Sequence, residues 1–454
     1  MNHSSIADRM RDRVLANGAR VYLLENHADV TVDVVGFFEG GLYLEAPEQS
    51  GVADLTLAML DRGTRRRSEN EIAIALESNA IRLDYSLVRE GAAVRGRCLS
   101  EDLPLLLELM GEMLAEPSFP EEQLALAKEQ ALVDLRQAAY DTFEQATRRA
   151  ASLLLGPRHP YAREPQGEPE IVPALTRADL DAYRRRALTA PRLSLAVVGD
   201  IDPDATAEWL ARRLDALPGE PPPARPAGGD ATTAATQAAP AWPGIPGPGE
   251  AIPGEPGPLA PLRGRGVVRE HVPLSDKEQI DLVFLRPGVA RTTSDFENYG
   301  VANFILGGSF ISRLNHRLRD SAGLTYGASS SIVSGRSPGC WLANVGVHPR
   351  DLERAIEMVR EELARFAGEG VGEEELAVAR DHLTGAFPLR LETNRSVAAL
   401  FLDGIRYGRG RDYLSRYVDC LRAVDRPRVD AAARRLIDPE EMVIVSCGSR
   451  AGSP

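Results

Sequence analysis

The chain has 454 residues, enough to bury two or more cores, and its 66 acidic against 53 basic residues give a formal net charge of −13. That balance argues against a nucleic-acid backbone as partner, because phosphate binding rests on clustered Lys and Arg. The sequence holds no run of about 18 apolar residues to span a bilayer and no apolar signal core at its start, so a cytoplasmic location without membrane contact is expected.

Residues 20–44 alternate or run apolar, which predicts two strands joined by a turn near 26–29. Residues 51–60 and 69–77 carry apolar side chains at helical spacing, and 80–99 alternates again. Helical spacing then returns at 101–115, from 120 to 155, and at 177–186, ahead of an apolar strand at 193–199. Strands followed by helices make an α+β order, not the βαβ alternation of a nucleotide-binding fold. Residues 218–262 are rich in Pro, Gly and Ala and have few side chains able to fill a core, so they are read as a linker.

After the linker the programme repeats. Gly51-Val52-Ala53-Asp54 matches Gly300-Val301-Ala302-Asn303, Asp102-Leu103 matches Asp351-Leu352, and Glu121-Glu122-Gln123-Leu124 matches Glu373-Glu374-Glu375-Leu376. Both halves end in an apolar strand stopped by glycine, Gly199 and Gly448. These landmarks predict a tandem duplication: a first half at 1–217 and a second at 263–454, each a mainly antiparallel sheet covered by helices, facing each other across a pseudo-two-fold cleft.

The seven histidines, at 3, 27, 159, 271, 316, 348 and 382, include no pair at a metal-ligand spacing. The four cysteines, Cys98, Cys340, Cys420 and Cys447, form no CxxC pair and are read as reduced thiols. No GxSxG elbow, P-loop or GxGxxG follows a predicted strand. Residues 309–331 carry the other candidate chemistry. Ile311, Leu314 and Leu318 share a helical face, Gly323 suits a left-handed stop, and an extended chain follows from Thr325. That reading puts Arg319 near a helix end and Tyr326 on a strand, where the two side chains offer hydrogen-bond donors to an oxygen that gains negative charge.

The duplicated unit, GVADLTLAMLDRGT at 51–64, HPYAREPQGEPEI at 159–171, the AVVGDI strand end and SRLNHRLRDSAGLTY at 312–326 together resemble the pitrilysin (insulinase) family of zinc peptidases. The likeness is closest to its two-subunit bacterial and mitochondrial-processing type. The family carries HXXEH after a GxA turn in one half, and an Arg and a Tyr seven residues apart in the other. The resemblance places the second pair on Arg319 and Tyr326. It also puts Asp54 and Ala58 where the two His ligands belong, Leu57 where the Glu base belongs, and Asp134 near the downstream Glu ligand. No metal is therefore expected in this chain, since two carboxylates without imidazole suit Zn²⁺ poorly.

The resemblance implies a non-catalytic partner subunit, inactive alone. It would pair with a homologous HXXEH-containing subunit that holds the zinc and donate Arg319 and Tyr326 to the oxyanion transition state. The substrate would be an extended peptide added along a sheet edge near Asp84, Tyr85 and Ser86. The rival reading is a structural or peptide-binding scaffold of the same fold, like the core subunits of respiratory complexes. The retention of both Arg319 and Tyr326 favours the first reading.

Overall fold

The computed structural model describes residues 4–219 and 266–449; from residue 220 on, the predicted linker lies outside the described residues. In chain order the strands are β1 (Arg11–Val14), β2 (Arg20–Glu25), β3 (Thr31–Glu39), β4 (Arg82–Val88), β5 (Gly91–Leu99), β6 (Leu193–Gly199), β7 (Val268–Pro273), β8 (Ile280–Pro287), β9 (Ala328–Val333), β10 (Cys340–Val347) and β11 (Val443–Gly448). The first helices are α1 (Ser4–Arg9), α2 (Val52–Ala58), α3 (Glu69–Ser78), α4 (Leu103–Ala115), α5 (Glu121–Ala138), α6 (Thr142–Leu155), α7 (Arg177–Ala187) and α8 (Pro203–Leu214). They are followed by α9 (Phe296–Asn303), α10 (Arg313–Asn315), α11 (Leu352–Glu369), α12 (Glu373–Ala386), α13 (Asn394–Arg406), α14 (Tyr413–Arg422) and α15 (Arg426–Leu436).

Two sheets carry the fold. The first has the order β1-β2-β6-β3-β5-β4 and the second β7-β11-β8-β10-β9. Leaving β1 aside, the two orders are the same, and in each only one pair is parallel, β2 with β6 and β7 with β11. The expected α+β architecture of two like halves is what the chain adopts. Each half closes with a capped helix and a buried strand. Thr176 and Asp425 accept backbone N–H groups at the starts of α7 and α15, and the strands that follow end at Gly199 and Gly448 with φ of 150° and 144°. A Cβ at Gly199 would stand 2.3 Å from the Thr31 carbonyl oxygen, so the strand can stop and turn there only without a side chain.

The compact units nevertheless share out the chain unevenly. The first takes its described residues from the stretches 1–135, 164–245 and 388–416; the second takes its own from 136–163, 246–387 and 417–454. Helix α6 thus belongs to the second unit, where Ala146, Ala150, Ala151 and Leu154 pack on Val283, Leu285, Val443 and Val445 of β8 and β11. Its first residue, Thr142, donates from its hydroxyl to Asp281 at 2.5 Å, and Arg149 makes a two-pronged pair with Glu270 at 2.6 and 2.9 Å. Helix α13 does the converse in the first unit. It buries Val397, Ala398, Phe401 and Leu402, with Phe401 edge-on to Tyr22, and pairs Arg395 with Asp33 at 3.3 Å and Arg406 with Glu39 at 3.1 Å, both acids lying on β3. Asp33 and Asp281 occupy equivalent registers, opposite Val198 and Cys447 just ahead of the terminal glycines. Each sheet therefore meets the donated helix through an acid at the same place.

Some local expectations differ from the fold. The predicted helix over 120–155 is two helices, because Asp141 caps a new N-terminus by accepting from the Glu144 N–H at 2.8 Å. Strand β1 and helix α8 lie outside the predicted elements. Cys98, Cys340 and Cys447 are buried, and burial pushes the Cys98 thiol up to about 12, in keeping with inert reduced thiols. No helix among the described residues is long and apolar enough to cross a membrane.

Candidate functional site

Helix α2 begins after Gly51, whose φ of 94° is left-handed. A Cβ there would sit 2.7 Å from the Gln166 carbonyl oxygen, so the GVAD turn and the loop ending in Gln166–Gly167 are in backbone contact. Glu45 fixes the first turn by accepting from the Ala53 N–H at 3.0 Å. Of the positions that the resemblance picks out, Leu57, where the base would stand, is buried in the first core, Ala58 faces solvent, and Asp54 is half-buried. A leucine that fills the core where a base would stand leaves this helix unable to support metal-bound hydroxide. Zinc does not fit these residues. Among the described residues, no group of three or more His, Cys, Asp or Glu side chains is arranged to hold a metal ion.

The remaining acids do interact. Burial, with Asp134 and Glu164 nearby, raises the Asp54 pKa from 3.8 to about 6. Glu164 was not expected at this site; only its place in the loop that backs onto Gly51 brings it there. A carboxyl that titrates higher in the fold than in the unfolded chain costs nothing below about pH 4, costs progressively more up to about pH 6, and the full amount above. Asp54→Asn is therefore expected to raise the melting temperature at pH 7.5, by the equivalent of about 1–3 kcal/mol, and to leave it unchanged at pH 4. Equal effects at both pH values would count against this account.

The Arg319 segment is built differently from a regular helix. After Ser312, residues 313–315 form α10, and His316–Ser321 continue it as a π-helical turn. Such wide turns are uncommon and recur at functional positions. Leu314 and Leu318 are buried as predicted, but Ile311 is 67% exposed, because the helix starts two residues after it. Arg313 pins the segment to α12 by a bidentate pair with Glu375 at 2.7 Å on each prong, and donates to the Gly370 carbonyl at 2.9 Å. Gly323, with φ of 62°, makes the left-handed stop as expected.

Arg319 lies with its guanidinium 4.1 Å from the centroid of the Phe310 ring and 3.7 Å from the Asp320 carboxylate. Tyr326 is 89% exposed and sits two residues ahead of β9, not on the strand as the sequence suggested. The Thr325 hydroxyl explains the difference: it donates to the Gly327 carbonyl at 2.8 Å and accepts from the Gly327 N–H at 3.1 Å. Tyr326 becomes the apex of a closed turn that projects its phenol into solvent. Leu324, nearly buried in the second core, holds one side of that turn.

Strand β4 is the outermost strand of the first sheet, paired on one side with β5. Its side chains alternate. Asp84 stands 3.6 Å from Arg95, and the Ser86 hydroxyl accepts from Arg95 at 3.1 Å, on one face. Tyr85 points the other way, toward the Met113 sulfur at 3.6 Å, and burial holds its pKa well above the ordinary value. Of the three residues proposed from the sequence, Tyr85 can offer a peptide only its backbone. The corresponding strand of the second sheet, β9, has its outer side occupied: Asn315 exchanges hydrogen bonds with both backbone groups of Ala328, and Asn303 donates to the Ser330 carbonyl at 3.0 Å.

Comparison with known proteins agrees with the fold. Residues 20–152 match the family described as Insulinase (Peptidase family M16), and residues 174–383 match the Peptidase M16 inactive domain. The chain is 24% identical over 355 residues to an uncharacterized zinc protease of Streptomyces coelicolor, covering 77% of this chain and 70% of that protein. It is 25% identical over 359 residues to the non-peptidase homolog YmxG of Helicobacter pylori, covering 78% and 74%. The crystal structure of a peptidase M16 inactive domain from Pseudomonas fluorescens superposes with a TM-score of 0.84 at 24% identity, over 98% of this chain and 99% of that one.

Proposed function

The chain belongs to the insulinase (M16) peptidase family, and from that membership we propose that it is the non-catalytic partner of a homologous HXXEH-bearing subunit. The zinc and the general base belong to the partner. This chain binds no metal of its own and contributes the Arg319 guanidinium and the Tyr326 phenol. Both donate hydrogen bonds to the substrate carbonyl oxygen as it becomes an oxyanion, and donors fixed in advance cost no reorganisation when the charge appears. The observation that carries the reading is the solvent-projected Tyr326, at the apex of a turn closed by Thr325 and on the same segment as Arg319, in a chain whose α2 has Leu57 in its core.

The substrate is an extended peptide. The β4 edge, with Asp84 and Ser86 beside it, suits main-chain pairing of a varied sequence, while β9 is occupied by the two asparagines. A purely structural role has its own support in the non-peptidase relative, and the pair assay separates the two. The chain is co-expressed with each HXXEH-bearing family member from its source, and every co-purifying pair is assayed for peptide cleavage together and as single subunits. The expected result is chelator-sensitive cleavage by the pair and none by this chain alone. Hydrolysis by the other subunit alone at the rate of the pair would refute the catalytic contribution.

A further inference from the structure

We propose that Asn315 is a positioning residue that locks the Tyr326 turn to the segment carrying Arg319, an inference that rests on the role assigned to that pair above. Asn315 is only 4% exposed, and its amide group is fully used. Its Oδ1 accepts from the Ala328 N–H at 2.9 Å, and its Nδ2 donates to the Ala328 carbonyl at 2.8 Å, to the Ser309 carbonyl at 3.1 Å and to the Ser312 hydroxyl at 3.3 Å. The carboxamide pairs with Ala328 as another strand's backbone would. Its orientation is fixed by this pattern, since a flipped amide would set its NH₂ against the Ala328 N–H.

The placement gives the clamp its consequence. Asn315 is four residues before Arg319, and Ala328 is two residues after Tyr326. Leu318 and Leu324, both in the second core, are joined by a hydrogen bond from the Leu324 N–H to the Leu318 carbonyl at 2.9 Å. Two nested ties therefore close the segment, the backbone bond from 318 to 324 and, outside it, Asn315 onto Ala328, and Tyr326 lies between them. Without the second tie, the Thr325 turn keeps its own shape but loses its fixed distance from Arg319. A donor displaced by about 1 Å from a developing oxyanion costs on the order of 10²-fold in rate.

Asn315→Asp keeps the shape and sets a carboxylate oxygen against the Ala328 and Ser309 carbonyls, while the Ser312 hydroxyl can turn to donate. Hydrogen–deuterium exchange of the intact chain is expected to show about tenfold faster exchange across 324–333, with α11 unchanged. In the reconstituted pair, kcat is expected to fall about 10- to 100-fold with KM within about twofold. Asn303→Asp is the control, because Asn303 holds the same strand at Ser330 and the Trp341 indole N–H, further from Tyr326. It is expected to lower the melting temperature comparably and leave kcat within about threefold. Unchanged exchange in the Asn315 variant overturns the clamp, and so does a kcat loss that tracks melting temperature alike in both variants. Faster exchange with kcat unchanged leaves the clamp standing and removes the catalytic role of the Tyr326 turn, a failure that Tyr326→Phe reports separately.

Discussion

Replacing Arg319 by Ala in the reconstituted pair is expected to lower peptide turnover about 10²- to 10³-fold, the usual cost of one oxyanion donor, and Tyr326→Phe is expected to do the same. The geometry explains why neither side chain needs to be freed first. A guanidinium directs its N–H groups outward in its own plane, so contact between its face and the Phe310 ring leaves donors available. Tyr326→Phe keeps the ring and removes only the hydroxyl. Because both donors act when charge develops and not when the peptide docks, kcat and kcat/KM should fall together with KM nearly constant. Co-elution of the variant with its partner checks that assembly survives. If both variants cleave at the parental rate, the chain is a scaffold.

Arg406→Ala is the substitution expected to cost most stability, about 3–5 kcal/mol, read as a lower midpoint in urea denaturation. Glu39 is 2% exposed and Arg406 10%, so the pair is withdrawn from water and its acid cannot be rehydrated when the arginine is cut back. The guanidinium also covers the face of Phe37 and lies 3.7 Å from Asp403, so the truncation removes packing as well as charge. Glu39→Gln in the same chain should recover part of the loss, because the stranded charge is then gone. A double variant as unstable as the sum of the single ones would show that the two side chains do not stabilise α13 as a pair.

What the sequence disclosed was what repeats or has a rigid residue requirement. The glycine stops at Gly199 and Gly448 and the left-handed Gly323 were visible because each depends on residue type at one position. Arg319 and Tyr326 drew notice by residue type, but only likeness to a family favoured a chemical role for them, since a basic residue near a helix end and a tyrosine ahead of a strand have ordinary explanations. Where the reading failed, the cause was a local hydrogen bond or the tertiary assignment of a face. Thr325 turns the chain before it can become a strand, and a helix that begins at Arg313 leaves Ile311 outside. The side of β4 that Tyr85 faces could be read from alternation: Leu83, Tyr85 and Leu87 alternate with Asp84 and Ser86, which puts the phenol on the core side. The destinations of α6 and α13 were not legible at all. Periodicity shows that a helix has a buried face, but two sheets of the same topology offer that face the same partner.

The crossing over of those two helices also sets a timetable. All strands of the first sheet have been synthesised by Gly199, yet the arginines that neutralise Asp33 and Glu39 arrive with residues 394–406. At about 5–20 residues per second, a ribosome needs roughly ten to forty seconds to make that stretch. Helix α6 waits longer still, since β11 is the last strand to be made. Neither unit can finish as it emerges, so both reach their native state at nearly the same moment, once β11 has been made, and a message truncated anywhere before residue 394 yields a first unit whose Asp33 and Glu39 lack the arginines of α13.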